Sequence, residues 1–111
     1  MIKYTTPVLG LLVENRDLTG NDIYVSLEQG QTEATFSGSR LQVGTVTEDE
    51  RTDTTIDILL TQEESAAFDF NKSVDVQVNW ISVQGIREAT NIKNIPVMRN
   101  LLDKVIEYGQ V

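Results

Sequence analysis

Residues 54–91 read TTIDILLTQEESAAFDFNKSVDVQVNWISVQGIREATN, and this stretch decides the fold. Ile56, Ile58 and Leu60 fall on alternate positions, the period of a half-buried strand. That strand runs into Thr61-Gln62-Glu63-Glu64, the spacing of a capping box. In such a box the Thr61 hydroxyl accepts the Glu64 N–H, and the Glu64 carboxylate reaches back to the Thr61 N–H. Glu63 and Glu64 also complement the positive end of a helix dipole. The pattern predicts one short capped helix over about 62–68, ended by Asn71. So short a helix is marginal alone, so it must dock, through Phe68, across one end of the sheets. A long strand over 74–83 follows, with Val74, Val76, Val78 and Trp80 on one face. Asp75, Gln77 and Asn79, then Ile81 and Val83, take the other. It reads as a strand crossing the middle of a sheet. Trp80, the only tryptophan, reads as core, with a ligand-stacking platform as the alternative. Gln84-Gly85 starts a turn, and residues 90–97 form the closing strand, with Ile92, Ile95 and Val97 as candidates for burial. Pro96 cannot donate to a ladder, which puts that strand at an edge or ends it there.

Upstream, residues 8–13 are apolar at both alternations, as in a strand buried on both sides or tucked under a neighbour. Residues 15–21 (NRDLTGN) carry turn chemistry. Residues 22–28 alternate cleanly, with Ile23, Val25 and Leu27 inward. A turn centred on Gly30 leads to a short return strand with Ala34 and Phe36 inward. Gly38-Ser39 makes the next turn, and residues 41–47 alternate weakly, which fits an edge strand. Residues 47–53 (TEDERTD) read as an acidic loop. Short strands at this spacing, with turns between them, predict a mainly β chain folded as an antiparallel sandwich or barrel of about seven strands.

The chain has 111 residues, length for one core and one domain. It has no cysteine and no histidine, which removes disulfides, thiolate chemistry, the commonest general base and the commonest transition-metal ligand. Seventeen acidic against nine basic residues give a net charge of -8, a balance that repels nucleic-acid phosphates and anionic membranes. The start, MIKYTTPVLGLLVEN, is too short in apolar residues for a leader or a span, so the expected site of synthesis is cytoplasmic.

The tail forms the second helix candidate. Asn100 can cap, Asp103 takes the third helical position, and Gly109 supplies a stop. Leu101, Leu102, Val105 and Ile106 then share one stripe of a helix over about 101–108. The stripe either packs on the sandwich or serves as a handle for another chain. With Tyr108 these residues are the candidate partner interface. The expected division is a sandwich over 1–98 and a tail over 99–111, docked or used for assembly.

No nucleophile elbow, phosphate loop, dinucleotide fingerprint or zinc spacing is present. Glu48, Asp49, Glu50, Asp53 and Asp57 could in principle form a hydrolytic carboxylate pair or a calcium site. They lie in or beside a solvated loop, without ordered calcium-loop spacing, on a chain too small for a deep cleft. The expectation is a non-enzymatic protein with no cofactor, no metal and no small-molecule substrate.

The runs ILLTQEESAAF (58–68) and VDVQVNWISVQGIREATNIKNIPV (74–97) resemble a family of small proteins of phages and prophages of gut-dwelling Firmicutes. The shared pattern falls on Leu60, Thr61, Gln62, Glu63, Glu64 and Phe68, the strand 74–78, Gly85, and residues 89–97; IYVSLEQG (23–30) looks like the family's second strand. More distantly the chain is similar to immunoglobulin-like domains of phage baseplates, tails and head decorations. The resemblance implies an immunoglobulin-like sandwich and a virion structural protein of the tail, baseplate or neck. Its partners would be other virion proteins and copies of itself, with no nucleic acid or membrane. It transfers no catalytic or ligand residue, because the shared positions are core, cap (Thr61, Glu64) and turn. A capsid decoration protein is one alternative, and a small binding module, for a host glycan or as an acidic inhibitor, is another. Tyr4, Tyr24 and Tyr108 are scattered, and carboxylates cluster only at 48–50 and 63–64. Both facts favour the virion reading.

Overall fold

The computed structural model describes residues 1–102 and 104–109. Two antiparallel sheets pack face to face. One holds β1 (Val8–Val13), β5 (Arg51–Leu59) and β4 (Gln42–Glu48) in the order β1-β5-β4. The other holds β3 (Thr32–Ser37), β2 (Asp22–Gln29), β6 (Ser73–Ile81) and β7 (Arg87–Ala89) in the order β3-β2-β6-β7, with β8 (Lys93–Pro96) also on β6. In immunoglobulin terms the first sheet runs B-E-D and the second C′-C-F-G. The fold is an antiparallel β-sandwich.

The core follows from the alternation. Ile56 and Ile58 of β5 face Ile23, Val25 and Leu27 of β2 and Val74, Val76, Val78 and Trp80 of β6, all buried. β6 is central, paired on both sides. Helix α1 (Gln62–Ala66) closes one end, and Phe68 just after it is buried. Asn71, with φ of 63°, turns the chain into β6. Two buried polar side chains pin loops. The Thr54 hydroxyl accepts the Leu18 N–H at 3.0 Å and donates to the Arg16 carbonyl at 2.8 Å. The Ser65 hydroxyl lies 2.7 Å from the Thr5 carbonyl and 3.2 Å from that of Gln62.

Four expectations change. β1 is an edge strand with one buried face, and Val8 and Leu12 point outward. Among the described residues nothing covers its second apolar face.

Residues 47–53 are a tight hairpin rather than a loop. Glu48 pairs with Arg51 across a two-residue turn, and Asp49 and Glu50 have φ of 50° and 65°. Positive φ at both central residues is the type I′ turn, which matches strand twist. Neither residue is glycine or asparagine, so ladder pairing and the Thr47–Thr52 hydroxyl contact at 3.0 Å override the local preference.

The closing strand starts earlier and carries a bulge. Trp80 pairs with Glu88 and Val76 with Lys93, so one extra residue enters the outer strand between these rungs. The backbone of Thr90 donates to the Val78 carbonyl at 2.9 Å, and the Thr90 hydroxyl accepts the Val78 N–H at 3.1 Å. Ile92 consequently points to solvent.

The expected C-terminal helix does not form among the described residues, which after Asn100 are bends, chain without regular structure and a turn. Asp103, the expected third helical residue, lies outside the described residues. A segment of two turns lacks the length to hold a helix by itself, and its apolar stripe finds no groove on the sandwich.

Candidate interaction surface

Polar side chains hold the tail, one from the sandwich and one from the tail itself. The Gln62 amide pairs with the backbone of Ile106 in both directions: Nε2 donates to the carbonyl at 2.7 Å, and Oε1 accepts the N–H at 2.8 Å. Asn100 Nδ2 donates to the Lys3 carbonyl at 2.9 Å, and its Oδ1 accepts the Leu102 N–H at 3.1 Å. The cap at Asn100 therefore forms without a helix behind it. The chain start joins the same end of the molecule. Ile2 bridges Met98 in parallel, and the N-terminal ammonium donates to the Pro96 carbonyl at 2.7 Å.

Held this way, the tail turns its apolar side chains outward. Leu101 is 88% exposed, and Leu102, Val105, Ile106 and Tyr108 are exposed too. The five candidate interface residues thus share one tethered segment without a helical stripe. Ile2 and Met98, both exposed, add apolar surface beside it. Sequence reasoning found the apolar residues and missed Gln62, because a glutamine in the first turn of an exposed helix gives no sign of a partner 44 residues away.

The capping box forms as read. Glu64 N–H donates to the Thr61 hydroxyl at 3.1 Å, and Thr61 N–H donates to Glu64 Oε1 at 2.9 Å. Sequence reasoning missed Arg40, whose guanidinium grips both Glu64 oxygens, at 2.6 and 3.0 Å, and also the Leu59 carbonyl at 3.2 Å. It sits over the Phe36 ring, 4.9 Å from the centroid, a cation–π geometry. Arg40 therefore ties the β3–β4 corner to the start of α1. Hydrogen bonding from Arg40 is the main cause holding the Glu64 carboxyl below its ordinary range; partial burial opposes it, and the Thr61 N–H adds to it.

Among the acidic candidates, Asp53 is engaged by Arg51 in a two-point contact, at 2.8 and 3.2 Å, and accepts the Asn15 N–H at 2.7 Å. These bonds, the one from Arg51 first, depress its pKa. Glu48, Asp49 and Glu50 are exposed at the hairpin tip, and Asp57 lies on the outer face of β5. Among the described residues no three carboxylates converge as a metal site would require. Trp80 is buried core; on the outer face Tyr24, Ser26, Thr35, Asn79 and Arg87 line a concavity of about 400 Å³.

Neither a family model, nor a curated protein, nor a solved structure matches this chain. The functional reading rests on its own surfaces. Uncovered apolar side chains lie on the tethered tail, at the β6–β7 turn (Val83, Ile86), and on the outer face of the three-stranded sheet, where Val8, Leu12, Val46 and Leu59 are all exposed.

Proposed function

We propose that this chain is a non-enzymatic assembly module of a phage particle, a small sandwich that packs against other virion proteins in the tail, baseplate or neck. The observation that carries the reading is the tail. An apolar segment fixed in place by Gln62 and Asn100, yet turned to solvent, contributes little to its own core and presents a surface for another chain. The sequence resemblance supports the same reading, since it lies on scaffold positions. The net charge of -8 points the module toward protein partners and away from the packaged nucleic acid. Its expected location is the virion, after synthesis in the host bacterial cytoplasm.

The test is mass spectrometry of gradient-purified particles from the phage or induced prophage that encodes the chain. The reading expects it in a fixed ratio to the major particle proteins, with neck, tail or baseplate genes beside its own. Its absence from intact particles contradicts the reading. A capsid decoration protein would instead appear in a ratio near that of the major capsid protein. A glycan-binding module is the second reading, favoured by Tyr24 beside Asn79 and Arg87 on the outer face of β2 and β6. It requires Tyr24→Ala to abolish adsorption to host cells while leaving particle assembly intact.

A further inference from the structure

We infer that β4 is the surface on which two copies of this chain pair, edge to edge and antiparallel, about a two-fold axis at Thr45. The inference rests on the assembly reading above and adds to it the surface, the register and the occupant.

β4 is an open edge strand of seven residues, QVGTVTE, and all seven are exposed. Val43 is 47% exposed and Val46 52%. The backbone it offers follows from the hairpin. Glu48 and Arg51 close a two-residue turn, and residues closing such a turn exchange both backbone hydrogen bonds. By alternation Val46, Gly44 and Gln42 also direct their backbone groups at β5. Those of Val43, Thr45 and Thr47 point to the open side.

A second β4 laid antiparallel with Thr45 opposite Thr45 puts Val43 opposite Thr47. Every residue with outward backbone groups then meets another such residue, so the three rungs hydrogen-bond together. The intervening positions fit as well. Val46 falls opposite Gly44, and Glu48 falls opposite Gln42. The one charge on the strand never meets its own copy. Gly44 already crowds its own sheet, because a Cβ there would stand 3.0 Å from the Thr55 hydroxyl oxygen. The bare position leaves room for the partner's Val46. Pairing would extend the three-stranded sheet into a six-stranded one and join the two exposed outer faces.

The other edges do not offer this. The strand formed by β7 and β8 carries a bulge, Lys93 and Pro96, which block pairing. At β1 the exposed side chains of Arg16 and Glu88 pair at 3.8 Å beside the Val13 end of the edge. β3 has Glu33 among its outward residues, and its Phe36 already faces the core. β4 has neither lysine nor proline, the usual guards of an exposed edge.

Sedimentation velocity of the full chain across a dilution series tests the pairing, with circular dichroism to confirm that each variant folds. A concentration-dependent monomer–dimer equilibrium is expected, tightening with moderate salt because each copy carries -8. Thr45→Pro removes an outward N–H that β5 does not use, and should weaken pairing about tenfold or more. Thr45→Lys sets two ammonium groups against each other and should do the same. Gln42→Lys should tighten pairing, since it faces the partner's Glu48. Thr35→Lys on β3 should change nothing. A chain monomeric even at millimolar concentration overturns the inference, and so does a dimer indifferent to both Thr45 variants or loosened by Gln42→Lys. A monomer that still enters particles refutes the pairing alone; a dimer absent from particles refutes the assembly reading alone.

Discussion

Thr61 is the residue where a local signal and a long-range contact meet. Its hydroxyl caps α1, and Glu64, which completes the box, is also the anchor for Arg40. Thr61→Ala should lower stability by about 1 kcal/mol, a drop in Tm of roughly 4–8 °C for a domain of this size; no change would remove the cap from the account. Because Glu64 is held below its ordinary pKa in the folded chain, its contribution is fully present above the unfolded carboxylate range and lost as pH falls through the folded value. The stability difference between the native chain and Glu64→Gln should therefore shrink as pH is lowered through and below about 4.3. Chemical denaturation at a series of acidic pH values measures it. A difference that stays constant would show that the carboxylate charge is not what Arg40 holds. The capping box was legible because its residues are three apart. Arg40 was not legible, since a lone arginine after a Gly-Ser turn says nothing about a partner 24 residues on. Thr54 was hidden for a similar reason: in a β-branched strand it looks like any other pleat position, and only the fold brings Leu18 and Arg16 to its hydroxyl.

At the scale of elements, alternation located all the strands but β7, which lies ahead of the expected closing strand 90–97, and turn chemistry hid the hairpin between β4 and β5. Residues 49–50 look like solvated loop because aspartate and glutamate rarely hold positive φ together. The ladder between β4 and β5 imposes it. Asp49→Asn with Glu50→Gly gives the turn its preferred residues and should raise stability by about 1–2 kcal/mol through relieved left-handed strain. A lower midpoint in a denaturant titration would mean that the acidic side chains hold the hairpin. The tail failed as a helix for the opposite reason. Its cap, stripe and stop are all present in sequence, but helices this short depend on tertiary packing. Here the sandwich supplies a backbone partner, Gln62, instead of an apolar groove. β1 holds the same lesson. Apolar residues on both faces suggested burial on both sides, yet Val8 and Leu12 stay exposed, because β1 lies at the edge of a sheet with one face on the core.

At the scale of the molecule, the fold is more extended than its length requires. The radius of gyration is 15.7 Å, with extents of 49 × 31 × 26 Å, against about 13 Å for a compact domain of this size. So extended a chain leaves apolar surface uncovered, at the tail and on the outer face of the three-stranded sheet. Fold class, core and cap were readable from the sequence, because each is written in the period of a strand or the spacing of a turn. The surfaces were readable only as apolar residues, since no period or spacing in a strand says whether its outer face is covered. The central claim is that the tail serves a partner and not the fold. Deleting residues 101–111 and following both thermal stability and entry into particles tests it most directly. The account predicts a folded sandwich, lower in Tm by only a few degrees for the loss of the Gln62–Ile106 hydrogen bonds, that no longer enters particles. A truncated chain that unfolds, or one that assembles as well as the intact protein, would contradict it.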